Sequence, residues 1–150
     1  MKKIYYLIAI LFAFLFSSCE EEPLVPVTAD LTPEIISGFT STTIGATEAV
    51  TVRIVNNGSP TTGSSVVYLQ KMIPVCNIVI PTQTGISVTE QGTRYKIEVL
   101  DPIIVANDII VVLNPTLIGS AGLTATVVSG TAGGETPTDN SVKSFDFTVQ

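Results

Sequence analysis

The sequence contains no histidine and no tryptophan, and only two cysteines in 150 residues. Without histidine there is no Ser-His-Asp or Cys-His arrangement, no imidazole zinc site, and no general base of the commonest kind. Charge is scarce at 13% of residues, and the seven basic side chains are outnumbered by thirteen acidic ones, for a net charge of −6. That balance argues against a nucleic-acid partner, because a phosphate backbone is bound by clustered Lys and Arg. Neither a nucleophile elbow nor a cluster with metal-ligand spacing is present, so an enzyme is not expected, and no cofactor. What is plentiful is apolar sequence, at 45%, broken by 11 glycines and nine prolines. A chain of this length suits one domain with a short appendage, burying roughly two thirds of its unfolded surface.

The appendage is at the start. Met1-Lys2-Lys3 is basic, Ile4 to Phe16 is thirteen residues without a charge, and Ser17-Ser18-Cys19 precedes the acidic Glu20-Glu21-Glu22-Pro23. This order predicts a secretory signal peptide over residues 1–18, since a membrane-spanning helix needs about 20 apolar residues. Leu15-Phe16-Ser17-Ser18-Cys19 resembles the lipobox of bacterial lipoproteins at both serines and the cysteine, and departs from it at Phe16. The resemblance implies diacylglycerol on the Cys19 sulfur, cleavage before it, and a membrane partner held through that anchor. The alternative is an ordinary signal peptide cut near Ser18, leaving Cys19 a free thiol. Glu20, Glu21 and Glu22 after Cys19 resemble the export signal of Bacteroidota lipoproteins, which implies the outer face of the outer membrane. The alternative is a solvated acidic tether on a periplasm-facing protein. With Cys19 acylated, Cys76 has no disulfide partner, and its apolar neighbours predict a buried, unreactive thiol.

From Cys19 onward, Thr, Val and Ile supply 52 of 132 residues, a composition for pleated, half-buried strands. Residues 19–28 read as an extended acidic and proline-containing tether, and 29–150 as the folded domain. Period-two alternation puts Val50, Val52 and Ile54 on one face of the segment 48–56, and Tyr95, Ile97 and Val99 on one face of 93–100. It does the same for Leu123, Ala125 and Val127 in 122–128, and for Phe145, Phe147 and Val149 in 142–149. The more continuous runs 65–73, 76–80 and 109–113 predict strands buried on one or both sides. Segment 31–39, interrupted by Pro33, predicts a first strand at an edge, and 86–89 a short one. Turn chemistry marks 56–60, Gln91-Gly92, Asp101-Pro102, Ala106-Asn107-Asp108 and Asn114-Pro115. The expectation is an all-β, antiparallel sandwich of about seven to nine strands.

Ala29-Asp30-Leu31-Thr32-Pro33 followed by Val50 to Gly58, with its Asn-x-Gly turn, resembles the opening of CARDB-like and related immunoglobulin-type domains of bacterial surface proteins. Leu123 to Val127, the polar stretch Gly133 to Asn140, and Phe145 to Val149 are similar to the end of such domains. The resemblance implies an immunoglobulin-like module for adhesion, scaffolding or assembly through a protein partner. The alternative is an accessory protein with a glycan partner. Sugar sites use aromatic platforms; of Phe39, Tyr68, Tyr95, Phe145 and Phe147, the last three fall on core faces, and Tyr68 is the ring to test. Glu135, Asp139 and Asn140 are oxygen ligands that calcium could use, though without the spacing of an EF-hand.

Overall fold

The computed structural model describes residues 28–72, 74–128, 131 and 141–150. Residues 1–18, Cys19, Glu20, Glu21, Glu22, Glu135, Asp139 and Asn140 lie outside the described residues. Among those described there are ten strands and no helix: β1 (Leu31–Ser37), β2 (Ser41–Thr42), β3 (Glu48–Asn56), β4 (Ser65–Gln70), β5 (Cys76–Val79), β6 (Ile86–Gln91), β7 (Arg94–Val99), β8 (Ala106–Pro115), β9 (Gly119–Val127) and β10 (Val142–Val149). They form a four-stranded sheet in the order β1-β3-β8-β5 and a six-stranded sheet in the order β2-β10-β9-β4-β7-β6. The chain is an all-β, immunoglobulin-like sandwich, antiparallel except where β10 pairs with β2.

The alternating residues form the core. Val50, Val52 and Ile54 of β3 and Ile109, Val111 and Leu113 of β8 pack in one cluster with Val67, Leu69, Ile97, Val99, Leu123 and Ala125 of the larger sheet. Burying each such side chain is worth about 1.5–3 kcal/mol, which sets register, since a one-residue slip would turn the whole row to water. Pro33 stands in β1, which pairs only with β3. Its missing N–H costs nothing at an edge. Cys76 is fully buried in this cluster, and burial pushes its thiol pKa up.

Four features differ from the sequence expectation. Two residues, Ser41 and Thr42, add the parallel strand β2, too short to show any period. Ala106-Asn107-Asp108 and Asn114-Pro115 are not turns but the two ends of β8. There Arg53 donates from Nε and Nη2 to the two carboxylate oxygens of Asp108 at 2.7 and 2.9 Å, across the β3–β8 pairing. Ladder pairing and this fork outweigh the local turn preference of Asn and Asp. Finally, β1 ends at Ser37, so Phe39 lies beyond the strand and packs edge-on against Phe145 and Phe147, with ring centroids 5.6 and 5.5 Å away.

One end of the sandwich is closed by a single amide. Asn56 is 8% exposed, and its Oδ1 accepts from the backbone N–H of Asp30 at 3.2 Å and of Gly58 at 3.0 Å. Its Nδ2 donates to the carbonyls of Ser59 at 2.7 Å and Ile103 at 2.8 Å. Thr61 adds a second tie, its hydroxyl oxygen accepting from the Ile103 N–H at 2.8 Å. The segment entering β1, the β3–β4 turn and the β7–β8 loop therefore meet on one side chain. Gly58 completes the junction, since a Cβ there would run into the Thr28 carbonyl and come within 2.7 Å of the Asp30 nitrogen.

Three outcomes are expected from this packing. Asn56→Ala, which strands partners in a buried junction, should lose about 2–4 kcal/mol in urea denaturation; a loss within experimental error would show that the junction holds without its amide. The Arg53 guanidinium, by hydrogen bond first and charge second, lowers the Asp108 pKa. A lowered folded-state value means stabilisation that is complete above the unfolded pKa and lost as pH falls through the folded one. Asp108→Asn should thus be less stable than the parent at pH 7, and the gap should close as pH falls below about 4. Both groups are partly exposed, so the gap should also narrow with salt. Cys76 should resist iodoacetamide in the native protein and react once urea unfolds it, read by mass spectrometry.

Candidate binding groove on the larger sheet

The residues that alternate with the core point outward, and on β4, β7 and β9 they line a shallow groove. These strands are neighbours in the larger sheet, and register places Tyr68 between Lys96 and Thr126, and Gln70 opposite Arg94. The groove has a volume of about 280 Å³ and is lined by Tyr68, Gln70, Thr93, Arg94, Thr124 and Thr126. Gly92, with φ of 56°, makes the tight β6–β7 turn that brings Thr93 and Arg94 to its rim. A left-handed residue is needed there, and glycine takes that conformation without strain.

Arg94 sets the electrostatics. Its guanidinium carbon lies 3.6 Å from the centroid of the Tyr68 ring, a cation–π contact worth about 0.5–1 kcal/mol at an exposed site. The other cations of the two sheets' middle are spoken for: Arg53 pairs with Asp108, Lys71 with Glu90 and Lys96 with Glu98. Lys71 also lies over Tyr95, 5.1 Å from its centroid. The hydrogen bond from Lys96 to Glu98 raises the lysine pKa and keeps it charged. Among the described residues Arg94 makes no ion pair, and it is exposed at the groove.

The groove brings together one sequence-expected residue, Tyr68, with five others. Tyr95, Phe145 and Phe147 are on the core side, as the alternation predicts, and Tyr95 donates its hydroxyl to the Ile78 carbonyl at 3.2 Å. Gln70, Thr93, Arg94, Thr124 and Thr126 were not expected as a set. Their outward positions follow from alternation, but their proximity follows from strand order, which sequence does not carry. Chemically the groove offers a guanidinium fork, an amide and hydroxyls, a surface for hydrogen-bonding a polar ligand. No group of three or more His, Cys, Asp or Glu side chains gathers as a metal site among the described residues.

The smaller sheet has a different outer surface. Register aligns Ile36 with Thr51 and Ile110, and Ala49 with Val112 and Val79. Ile36, Val79 and Ile110 are 44%, 49% and 38% exposed, and the same face carries the exposed Arg53–Asp108 pair, so it mixes apolar and charged surface.

No protein-family model matches the chain, and no curated protein does. Solved structures do. The crystal structure of the CARDB domain of the PF1109 protein from Pyrococcus furiosus, in complex with di-metal ions, aligns with a TM-score of 0.58 at 23% identity, covering 81% of this chain and 94% of that one. The solution structure of the same domain gives 0.55 at 21% identity, over 81% of this chain and 95% of that one. A non-cellulosomal cohesin from the archaeon Archaeoglobus fulgidus gives 0.50 at 18% identity, over 79% and 91%. At these identities the likeness is one of fold, and the fold is that of a CARDB-like, immunoglobulin-type sandwich.

Proposed function

We propose that the chain is a non-catalytic, lipid-anchored module on the cell surface that acts in adhesion, scaffolding or assembly. The observation that carries this reading is the arrangement of the two ends. The chain joins the sandwich at Thr28 to Asp30, where Asn56 and Gly58 clamp it. Register puts Leu31, Asn56 and Ala106 at that end of the smaller sheet, and Glu48 and Leu113 towards the other. The far end presents Ile44, Leu117 and Ile118, which are 50%, 50% and 73% exposed, on turns tied by the hydrogen bond from Gly45 N–H to the Pro115 carbonyl. With acyl chains on Cys19, the residues up to Thr28 would span at most about 35 Å, which would hold the sandwich near the membrane by its Thr28 end. Exposed Ile36, Val79 and Ile110, on the same face as the Arg53–Asp108 pair, support a protein partner, because contact sites combine apolar area with charged groups around it.

A second reading, accessory glycan binding at the surface, is supported by the groove beside Tyr68. Its amide and hydroxyl lining matches the donors and acceptors of a saccharide.

Expression of the full chain in a Gram-negative host with radiolabelled palmitate tests the anchor. Label is expected on the parent and absent from Cys19→Ala, which should move to the soluble periplasmic fraction; label retained by Cys19→Ala would sink it. Proteinase added to intact cells should digest the parent, whereas full protection would place the protein facing the periplasm.

A further inference from the structure

Arg94 is the one charged residue among the six that line the groove. Stacking on Tyr68 uses the face of the guanidinium and leaves its N–H donors, which lie in its plane, directed outward. A planar fork so held is preorganised for a carboxylate, which it can grip through two parallel hydrogen bonds. Nearby Lys96 is balanced by its partner Glu98, so Arg94 supplies the one positive charge in excess at the groove although the chain as a whole is acidic. The rest of the lining, Gln70, Thr93, Thr124 and Thr126, offers donors and acceptors to hydroxyls. The face of Tyr68 towards Arg94 is covered by the guanidinium 3.6 Å away, which removes the usual stacking platform for a neutral sugar. At about 280 Å³, the groove falls just below the ~300–1,000 Å³ of small-molecule sites, a size for one ring rather than a long chain.

We infer that this groove binds the carboxylate of an acidic saccharide, with Arg94 gripping a uronate carboxylate, Tyr68 holding Arg94 in place, and the Gln70 and threonine side chains receiving the ring hydroxyls. The inference rests on the glycan-binding reading and narrows it to one ligand class.

Titration calorimetry on the full chain in non-ionic detergent tests it with three probes: tetragalacturonate, its methyl ester, and triglutamate. The free uronate should bind about tenfold more tightly than the ester, a ratio typical of one charge-assisted contact. Arg94→Gln should erase that difference while lowering the thermal melting point by no more than about a few degrees, since the contact with Tyr68 is a weak one at the surface. Raising salt should weaken the uronate and leave the ester unchanged. Equal binding of acid and ester would overturn the carboxylate assignment and leave glycan binding standing. Binding of triglutamate as tight as that of the uronate would overturn the saccharide assignment. Failure of both saccharides to bind would overturn the inference, and the glycan-binding reading would fall with it if neutral oligosaccharides failed as well.

Discussion

The junction at Asn56 is what the rest of the sandwich is hung on. A primary amide has two donors and room for two acceptor bonds, and here all four are used by backbone groups of three separate segments. None of those segments has a ladder of its own at that point, so each would otherwise expose backbone groups at a closed end. The geometry also explains the residue type. Aspartate would set carboxylate oxygens against the carbonyls of Ser59 and Ile103, and a longer amide would not fit so close to its own backbone. Gly58 is fixed by the same crowding, because the chain that enters β1 passes where its side chain would be. The Asn-x-Gly turn is thus a packing device whose partners lie 26 and 47 residues away. It also fixes the path by which the chain enters β1.

Most of the fold was legible because a sandwich with one core face per strand writes a period of two into its sequence. β3, β7, β9 and β10 were marked by alternation, and each buries the face that alternation assigned. The expectation erred where a local preference competed with a partner remote in sequence. Asn107 and Asp108 favour turns in isolation, but Arg53 lies opposite Asp108 on the neighbouring strand and extends β8 through them. Pro115 ends a strand legitimately, since the ring removes a donor while its carbonyl still accepts from Gly45. β2 left no signal because two residues cannot establish a period, and its pairing depends on β10, which arrives about a hundred residues later.

The groove shows the same limit more sharply. Elimination narrows the candidate rings to Tyr68 and Phe39, since Tyr95, Phe145 and Phe147 fall on core faces. Arg94, Thr124 and Thr126 were recognisable as water-facing positions. What the chain does not announce is that β4 sits between β7 and β9, and only that order turns separate outward positions into one surface. A correct strand order combined with the alternation would have found the groove before any coordinates.

The acidic balance that argues against nucleic acid bears on this surface less than it first suggests. Net charge controls long-range steering, and at physiological ionic strength fields between exposed charges fade over about 8 Å. A ligand in the groove therefore feels Arg94, Lys96 and Glu98 far more than the acids on distant turns. Binding a duplex would need many cations along a stripe, and the five that remain beyond the first eighteen residues are mostly paired with carboxylates. Binding one carboxylate needs a single preorganised fork. An acidic protein can hold such a site because the requirement is local, and Tyr68 meets it by keeping Arg94 in place without neutralising it.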